Sequence, residues 1–152
     1  MDIRPDDLSG DATRELVRLH RERIFETSPP EYVFALDLTG LTAPGVTVWT
    51  AWDGETIMGM GALRQHDEHL GEVKSMRTHP DFLRRGVGAA ILDHIIAQAR
   101  ARALSQLSLE TGRGAHFEAA LALYRKRGFV DGPAFADYPA NDFSLFLHLR
   151  LE

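Results

Sequence analysis

Cysteine is absent from the 152 residues, which removes disulfides, thiolate metal sites and a cysteine nucleophile from consideration. No apolar run approaches the ~18 residues of a membrane span. The start, Met1-Asp2-Ile3-Arg4-Pro5, lacks the apolar stretch of a secretory signal. A cytoplasmic protein with no membrane partner is therefore expected. Internal repeats, linkers and low-complexity tracts are missing too, so residues 1–152 are read as a single domain, long enough to bury a core. Positive charge is scarce: the formal net charge is −5, which argues against nucleic acid as a general partner.

That scarcity is uneven. Residues 81–130 hold eight Arg/Lys against four Asp/Glu, a basic block inside an acidic chain. Such a block around a glycine turn suits a small polyanionic ligand better than a long polyanion. The turn is Leu83-Arg84-Arg85-Gly86-Val87-Gly88-Ala89, preceded by Thr78-His79-Pro80 and followed by a helical pattern. Two glycines one residue apart let backbone approach a ligand closely, and the helix that follows offers unpaired N–H groups and the positive end of its dipole. Together these form a cradle for phosphate. Nucleotide motifs fail here. A P-loop needs Gly-Lys-Ser/Thr, which is missing. A dinucleotide fingerprint needs a third glycine where Ile91 stands, after an early strand of a βαβ unit.

The order of elements around the turn is legible from pattern. Ile3-Arg4 reads as a short strand. Ser9 or Asp11 can cap a helix whose apolar face is Leu16, Val17, Leu19, His20, Ile24 and Phe25. Residues 31–38 read as a short second helix and 39–45 as a loop. Three strands, 46–52, 56–63 and 72–78, follow as an antiparallel meander with Asp53-Gly54 at the first turn. After the turn, Ile91, Leu92, Ile95, Ile96, Ala99 and Ala103 mark the buried face of a long helix. The strand 107–111 is reached by that crossover and is predicted parallel to the strand before it. A helix over 116–126 buries Phe117, Ala120, Leu121 and Tyr124, with Gly128 as its C-terminal cap. Strands at 129–130 and 144–149 close the chain, giving an α+β domain with a mixed sheet.

Tyr124 comes about 36 residues beyond Gly88, in the run Ala120-Leu121-Ala122-Leu123-Tyr124-Arg125-Lys126-Arg127-Gly128-Phe129. The turn, this Tyr-x-x-x-Gly-Phe run and the strand order together resemble the GNAT superfamily of acetyl-CoA-dependent N-acetyltransferases over nearly the whole chain. The resemblance implies an α/β sandwich with a mostly antiparallel sheet, a splayed parallel pair and helices on both faces. Acetyl-CoA is implied as cosubstrate. Its pyrophosphate is expected on the backbone of Arg84, Arg85, Gly86, Val87, Gly88 and Ala89, and its pantetheine arm along Met76, Arg77 and Thr78. A backbone N–H near Met76 would hold the developing oxyanion. The chain departs from the family pattern at Leu83, where Gln or Arg is usual, and at Phe117, where an asparagine often stands.

Aminolysis of a thioester needs a proton for the leaving sulfur, whose pKa is near that of cysteine, ~8.5. Tyr124 matches the family position for that acid; as a plain core aromatic it would do no chemistry. Glu72 matches the position of a glutamate base acting through water, with Glu110 second; an ion pair with Lys74 or an exposed turn position is the competing account of Glu72. Strand alternation puts Glu72, Lys74, Met76 and Thr78 on one face. The acceptor is expected to be an amine of a small molecule or protein, bound by the first two helices and the loops 27–45 and 132–142. Arg77, Lys74 or Arg113 would suit a carboxylate on it; Phe135, Asp137, Tyr138 and Asp142 would suit a cationic one. The resemblance also admits a homodimer. The rival reading is a CoA-binding sensor of the same fold that has lost catalysis. His66-Asp67-Glu68-His69 offers two histidines in a turn with no third ligand near, so no metal is expected.

Overall fold

The computed structural model describes residues 1–151. Its elements are β1 (Asp2–Pro5), α1 (Asp11–Thr27), α2 (Leu38–Leu41), β2 (Val46–Asp53), β3 (Thr56–Gln65), β4 (Leu70–Thr78), α3 (Val87–Ala101), β5 (Gln106–Thr111), α4 (Glu118–Lys126), β6 (Val130–Asp131) and β7 (Leu145–Arg150). One seven-stranded sheet runs in the order β1-β2-β3-β4-β5-β7-β6. All neighbours are antiparallel except β4 and β5. That pair is registered over only three residues, from Leu70↔Gln106 to Glu72↔Ser108. Beyond Glu72 the two strands part, and the rest of β4 keeps an unpaired backbone edge toward β5.

Alternation along β2 and β3, shifted once by a bulge at Met58, divides the apolar residues between two layers. Trp49, Met58 and Leu63 face α3 and α4, packing with Ile91, Leu92, Ile95, Leu121 and Tyr124. Val48, Ile57, Met60 and Ala62 face α1 and α2, packing with Leu16, Val17 and Leu41. Helices therefore cover both faces, as the resemblance implies. Each fully buried Ile or Leu of α3 contributes roughly 1.5–3 kcal/mol, so that helix is a fixed platform for the turn at its start. A bidentate pair from Arg127 Nε and Nη2 to Asp93, at 2.7 and 3.2 Å, ties the end of α4 to it.

Four local expectations are corrected. The segment 31–38 is no helix: a single 3-10 turn, Pro30–Tyr32, is followed by irregular chain, and the helical residues are Leu38–Leu41. Two prolines and the aromatic pair Tyr32 and Phe34 make it a covering segment instead. Gly10, not Ser9 or Asp11, is the N-cap of α1; the Ser9 hydroxyl donates to Asp7 at 2.6 Å. Ala103 lies past α3 with φ +59, in the left-handed turn that ends the helix, and is exposed. Phe25, on the outer edge of α1, is 48% exposed.

Candidate active site

The parting of β4 from β5 opens a cleft of about 370 Å³. Its walls come from α1 (His20, Arg23, Ile24), the covering segment (Tyr32, Phe34), β4, β5 (Leu109, Glu110) and α4 (Ala120, Tyr124). The expected loops contribute unequally. The segment after α1 lines the cleft, but Phe135, Asp137, Tyr138 and Asp142 do not; Phe143 is the contribution from that side. Phe135 and Tyr138 pack edge-on, 5.1 Å apart, and each also meets Phe146.

Alternation along β4 is broken by a bulge. Lys74 pairs with Ala62, but Met60 pairs with Arg77, so β4 has one extra residue there. Ser75 takes φ +57 to accommodate it. Glu72, Lys74 and Arg77 therefore share the α1 face, while Met76 packs with the α3 layer. A Cβ at Gly61, opposite the bulge, would come within 2.7 Å of Met76 Sδ and 2.6 Å of Ile91 Cγ2. The predicted single face for Glu72, Lys74, Met76 and Thr78 is corrected accordingly: sequence alternation counts residues and does not see an inserted one.

Glu72 is neither exposed nor lightly held. It is 1% exposed. His66 Nε2 lies 2.8 Å from Oε1; Lys74 Nζ donates to Oε2 at 3.3 Å, and the Tyr138 hydroxyl donates to the same oxygen. Lys74 also donates to the Tyr138 oxygen at 2.7 Å. Burial, then the Glu72 charge, push the Tyr138 phenol well above its usual range. The ion pair with Lys74 is thus present, and His66 is engaged there, while Asp67 accepts from the N–H groups of His69 and Leu70 to shape the turn. Glu110 is held more loosely. Ser144 Oγ donates to its Oε2 at 2.7 Å, and burial raises its carboxyl above the usual range despite that bond.

Tyr124 is 7% exposed and lines the cleft. Burial raises its phenol to about 12, opposed by the Arg77 charge, so it stays protonated throughout the neutral range. Arg77 Nε donates to His20 Nδ1 at 2.9 Å. His20 is 6% exposed, and burial followed by the Arg77 charge lowers it to about 3, leaving a neutral ring that can accept. Neither this pair nor the Tyr138–Glu72 bond had a local signal, since their members lie 57 and 66 residues apart.

At the far end of β4, a 3-10 turn over Pro80–Phe82 delivers the chain to the glycine turn. Gly86 is the N-cap of α3 at φ +80, and Arg84 takes φ +63. No side chain caps the helix, so its first N–H groups are open. A Cβ on Gly88 would meet only Thr78 Oγ1 at 3.5 Å and Leu123 Cδ2 at 3.6 Å, ordinary contacts. The protein itself has no need of glycine there, whereas a ligand on the helix start does. Ser75 Oγ, buried beside the open edge of β4, has no hydrogen-bond partner among the described residues. The cradle, the open strand edge and the orphan hydroxyl fit a phosphate-bearing arm laid from the turn into the cleft.

The sequence profile of the acetyltransferase (GNAT) family matches residues 11–129, and the chain belongs to that family. It is 48% identical to an uncharacterized N-acetyltransferase, YedL, of Escherichia coli (strain K12), over 98% of this chain and 94% of that one. Identity is 44% to an uncharacterized N-acetyltransferase, YsnE, of Bacillus subtilis (strain 168), over 99% and 100%. A GNAT family acetyltransferase from Elizabethkingia anophelis, solved with acetyl-CoA bound, has the same fold at a TM-score of 0.70 and 19% identity, over 99% of this chain and 97% of that one. The protein is an N-acetyltransferase of the family that uses acetyl-CoA. No helix among the described residues is long and apolar enough to cross a membrane.

Proposed function

We propose that residues 1–152 form one domain that moves an acetyl group from acetyl-CoA directly to a primary amine of a small molecule or protein. The observation that carries this is Tyr124: a protonated, buried phenol in the cleft where β4 and β5 part. Backbone N–H groups of Arg84 to Ala89 would hold the pyrophosphate, and the open edge at Met76, Arg77 and Thr78 would pair with the pantetheine amides. Acetyl-CoA, when bound, supplies an acetyl thioester.

The chain's own residues then have three tasks. A β4 N–H near Met76 stabilises the negative charge that develops on the acyl oxygen. Tyr124 gives its phenolic proton to the leaving sulfur; a phenol near 12 keeps that proton, and is neutral, throughout the neutral range. Glu72 takes the proton of the attacking amine through water. The new bond joins the amine nitrogen to the acetyl carbon as the carbon–sulfur bond breaks. Glu110 competes for the base role on one observation: only Oε2 of its raised carboxyl is held, by Ser144.

Thiol release from acetyl-CoA over an amine panel tests the reading. Tyr124→Phe is expected to lower kcat about 100-fold or more with the substrate KM little changed. Glu72→Gln and Glu110→Gln, run side by side, assign the base to whichever flattens the acidic limb of the pH profile. Unaltered kcat in Tyr124→Phe would remove the acid from the scheme. Retained CoA binding with no acceptor acetylated by the native enzyme would favour the sensor.

A further inference from the structure

The cleft contains cations of two kinds, those already paired and one that is not. Lys74 is spent on Glu72 and Tyr138. Arg23 pairs with Glu26 at 3.4 Å, and Arg113 is not among the residues that line the cleft. Arg77 bonds only to His20 among the described residues, through Nε. That partner is a neutral ring, burial and the Arg23 charge both act against the Arg77 charge, and Tyr124 keeps its proton, so none of them supplies an anion. A partly buried guanidinium without an anion is costly unless a ligand brings one.

The geometry is specific about which part of Arg77 is left over. His20 fixes the side chain by its Nε edge, so both terminal nitrogens stay available as a fork. A fork of two parallel N–H donors matches a carboxylate. Across the cleft, Tyr124 lies within the electrostatic reach of both Arg77 and Glu110. Ile24, Tyr32, Phe34, Phe117 and Phe143 also line the cleft, which suits an apolar side chain carried beside the amine and the carboxylate.

We propose that Arg77, held in plane by His20, binds a carboxylate on the acceptor, so that the substrate class is a small amine carrying a free carboxylate close to the amine, as in an amino acid with an apolar side chain. This rests on the acetyl-transfer reading above and names its acceptor. Arg77 is a specificity-determining residue, and His20 positions it.

The test compares free L-phenylalanine, L-leucine and L-methionine with their carboxamides, which keep the amine and lose the charge. Thiol release is followed for the native enzyme, Arg77→Gln and Arg77→Lys. Binding of the same acids to CoA-saturated protein is measured by calorimetry. Arg77→Gln is expected to lower the acid-to-amide ratio of kcat/KM at least about tenfold, mainly through KM, and Lys should not restore it because it lacks the fork. Melting curves confirm that both variants are folded. An unchanged ratio overturns the proposal, as does native protein that binds none of the acids at millimolar concentration. A variant that binds CoA tenfold more weakly with its ratio unchanged moves Arg77 to the donor side and also overturns it. Acids that bind in an Arg77-dependent way while no amine releases thiol would uphold the carboxylate site and sink the acetyl-transfer reading instead.

Discussion

The two functional regions on β4 and just after it are built from different material. The glycine turn presents backbone: Leu83, Arg84, Arg85 and Gly86 are exposed, and Gly86 takes φ +80 so that the start of α3 is bare. The cleft presents side chains, each locked by another from a distant element: Glu72 by His66, Lys74 and Tyr138, Arg77 by His20, Glu110 by Ser144. A site made of backbone tolerates changes of side chain and fails when a Cβ fills it. A site made of interlocked buried side chains fails, or destabilises the fold, when any member is removed.

The largest effect should come from filling the cradle. Gly86→Val with Gly88→Val is expected to weaken acetyl-CoA binding more than about 100-fold, as measured by calorimetry. The fold should survive: Gly88 has room for a Cβ, and a side chain at the left-handed Gly86 costs about 1–2 kcal/mol. Circular dichroism and a melting curve check that second half. Native affinity in the folded variant would break the comparison at its donor end.

Next in size is Glu72→Ala, which should cost about 3–5 kcal/mol of stability by urea titration, because it strands the Lys74 charge, 8% exposed, without a counter-ion. Adding Lys74→Met should recover most of that loss, since the orphaned charge and not the missing carboxylate is the source of the cost. If the double variant is no more stable than the single, the network matters for its hydrogen bonds and not its charges.

Smaller again is an alkaline effect at Tyr124. Its phenol titrates at about 12 in the fold and ~10 in the unfolded chain. Between those values the unfolded state has lost the proton that the native state keeps, so stability falls as pH rises through the window. The loss amounts to roughly 3 kcal/mol for a shift of this size. Tyr124→Phe should remove that part of the decline, seen by comparing urea midpoints at pH 9 and pH 11. At the acid end His20 works in the opposite direction. Its value near 3 lies below the ordinary ~6.5, so stability is lost as pH falls from about 6.5 toward 3, and a His20→Asn variant should lose less.

The same contrast of materials explains what sequence could and could not tell. The meander, the parallel crossover, the turn and the helix carrying Tyr124 are local patterns of period two or 3.6 with glycine punctuation, and each lies where its pattern puts it. Two features of the site are of another kind. The bulge at Ser75 shifts Met76 and Arg77 to opposite faces, and one inserted residue leaves alternation in the sequence unmarked. The partners of Glu72 and Arg77 arrive from the loop before β7 and from α1, where nothing nearby in sequence announces a tyrosine or histidine as a second layer. The covering segment departs from a helix because an apolar run beside two prolines packs as irregular chain.

Leu83 gives the smallest expected effect and the finest probe of the backbone account. It stands where the family usually carries Gln or Arg, and it is 59% exposed. If the cradle works through amides, restoring a polar side chain with Leu83→Gln adds at most one solvent-screened hydrogen bond, worth about 0.5 kcal/mol at such exposure. Acetyl-CoA affinity by calorimetry should then improve by less than about threefold, with melting temperature and kcat unmoved. A gain of tenfold or more would mean that a side chain at the head of the turn carries a real share of the binding. The turn would then differ from the cleft only in how exposed its side chains are, not in being made of backbone.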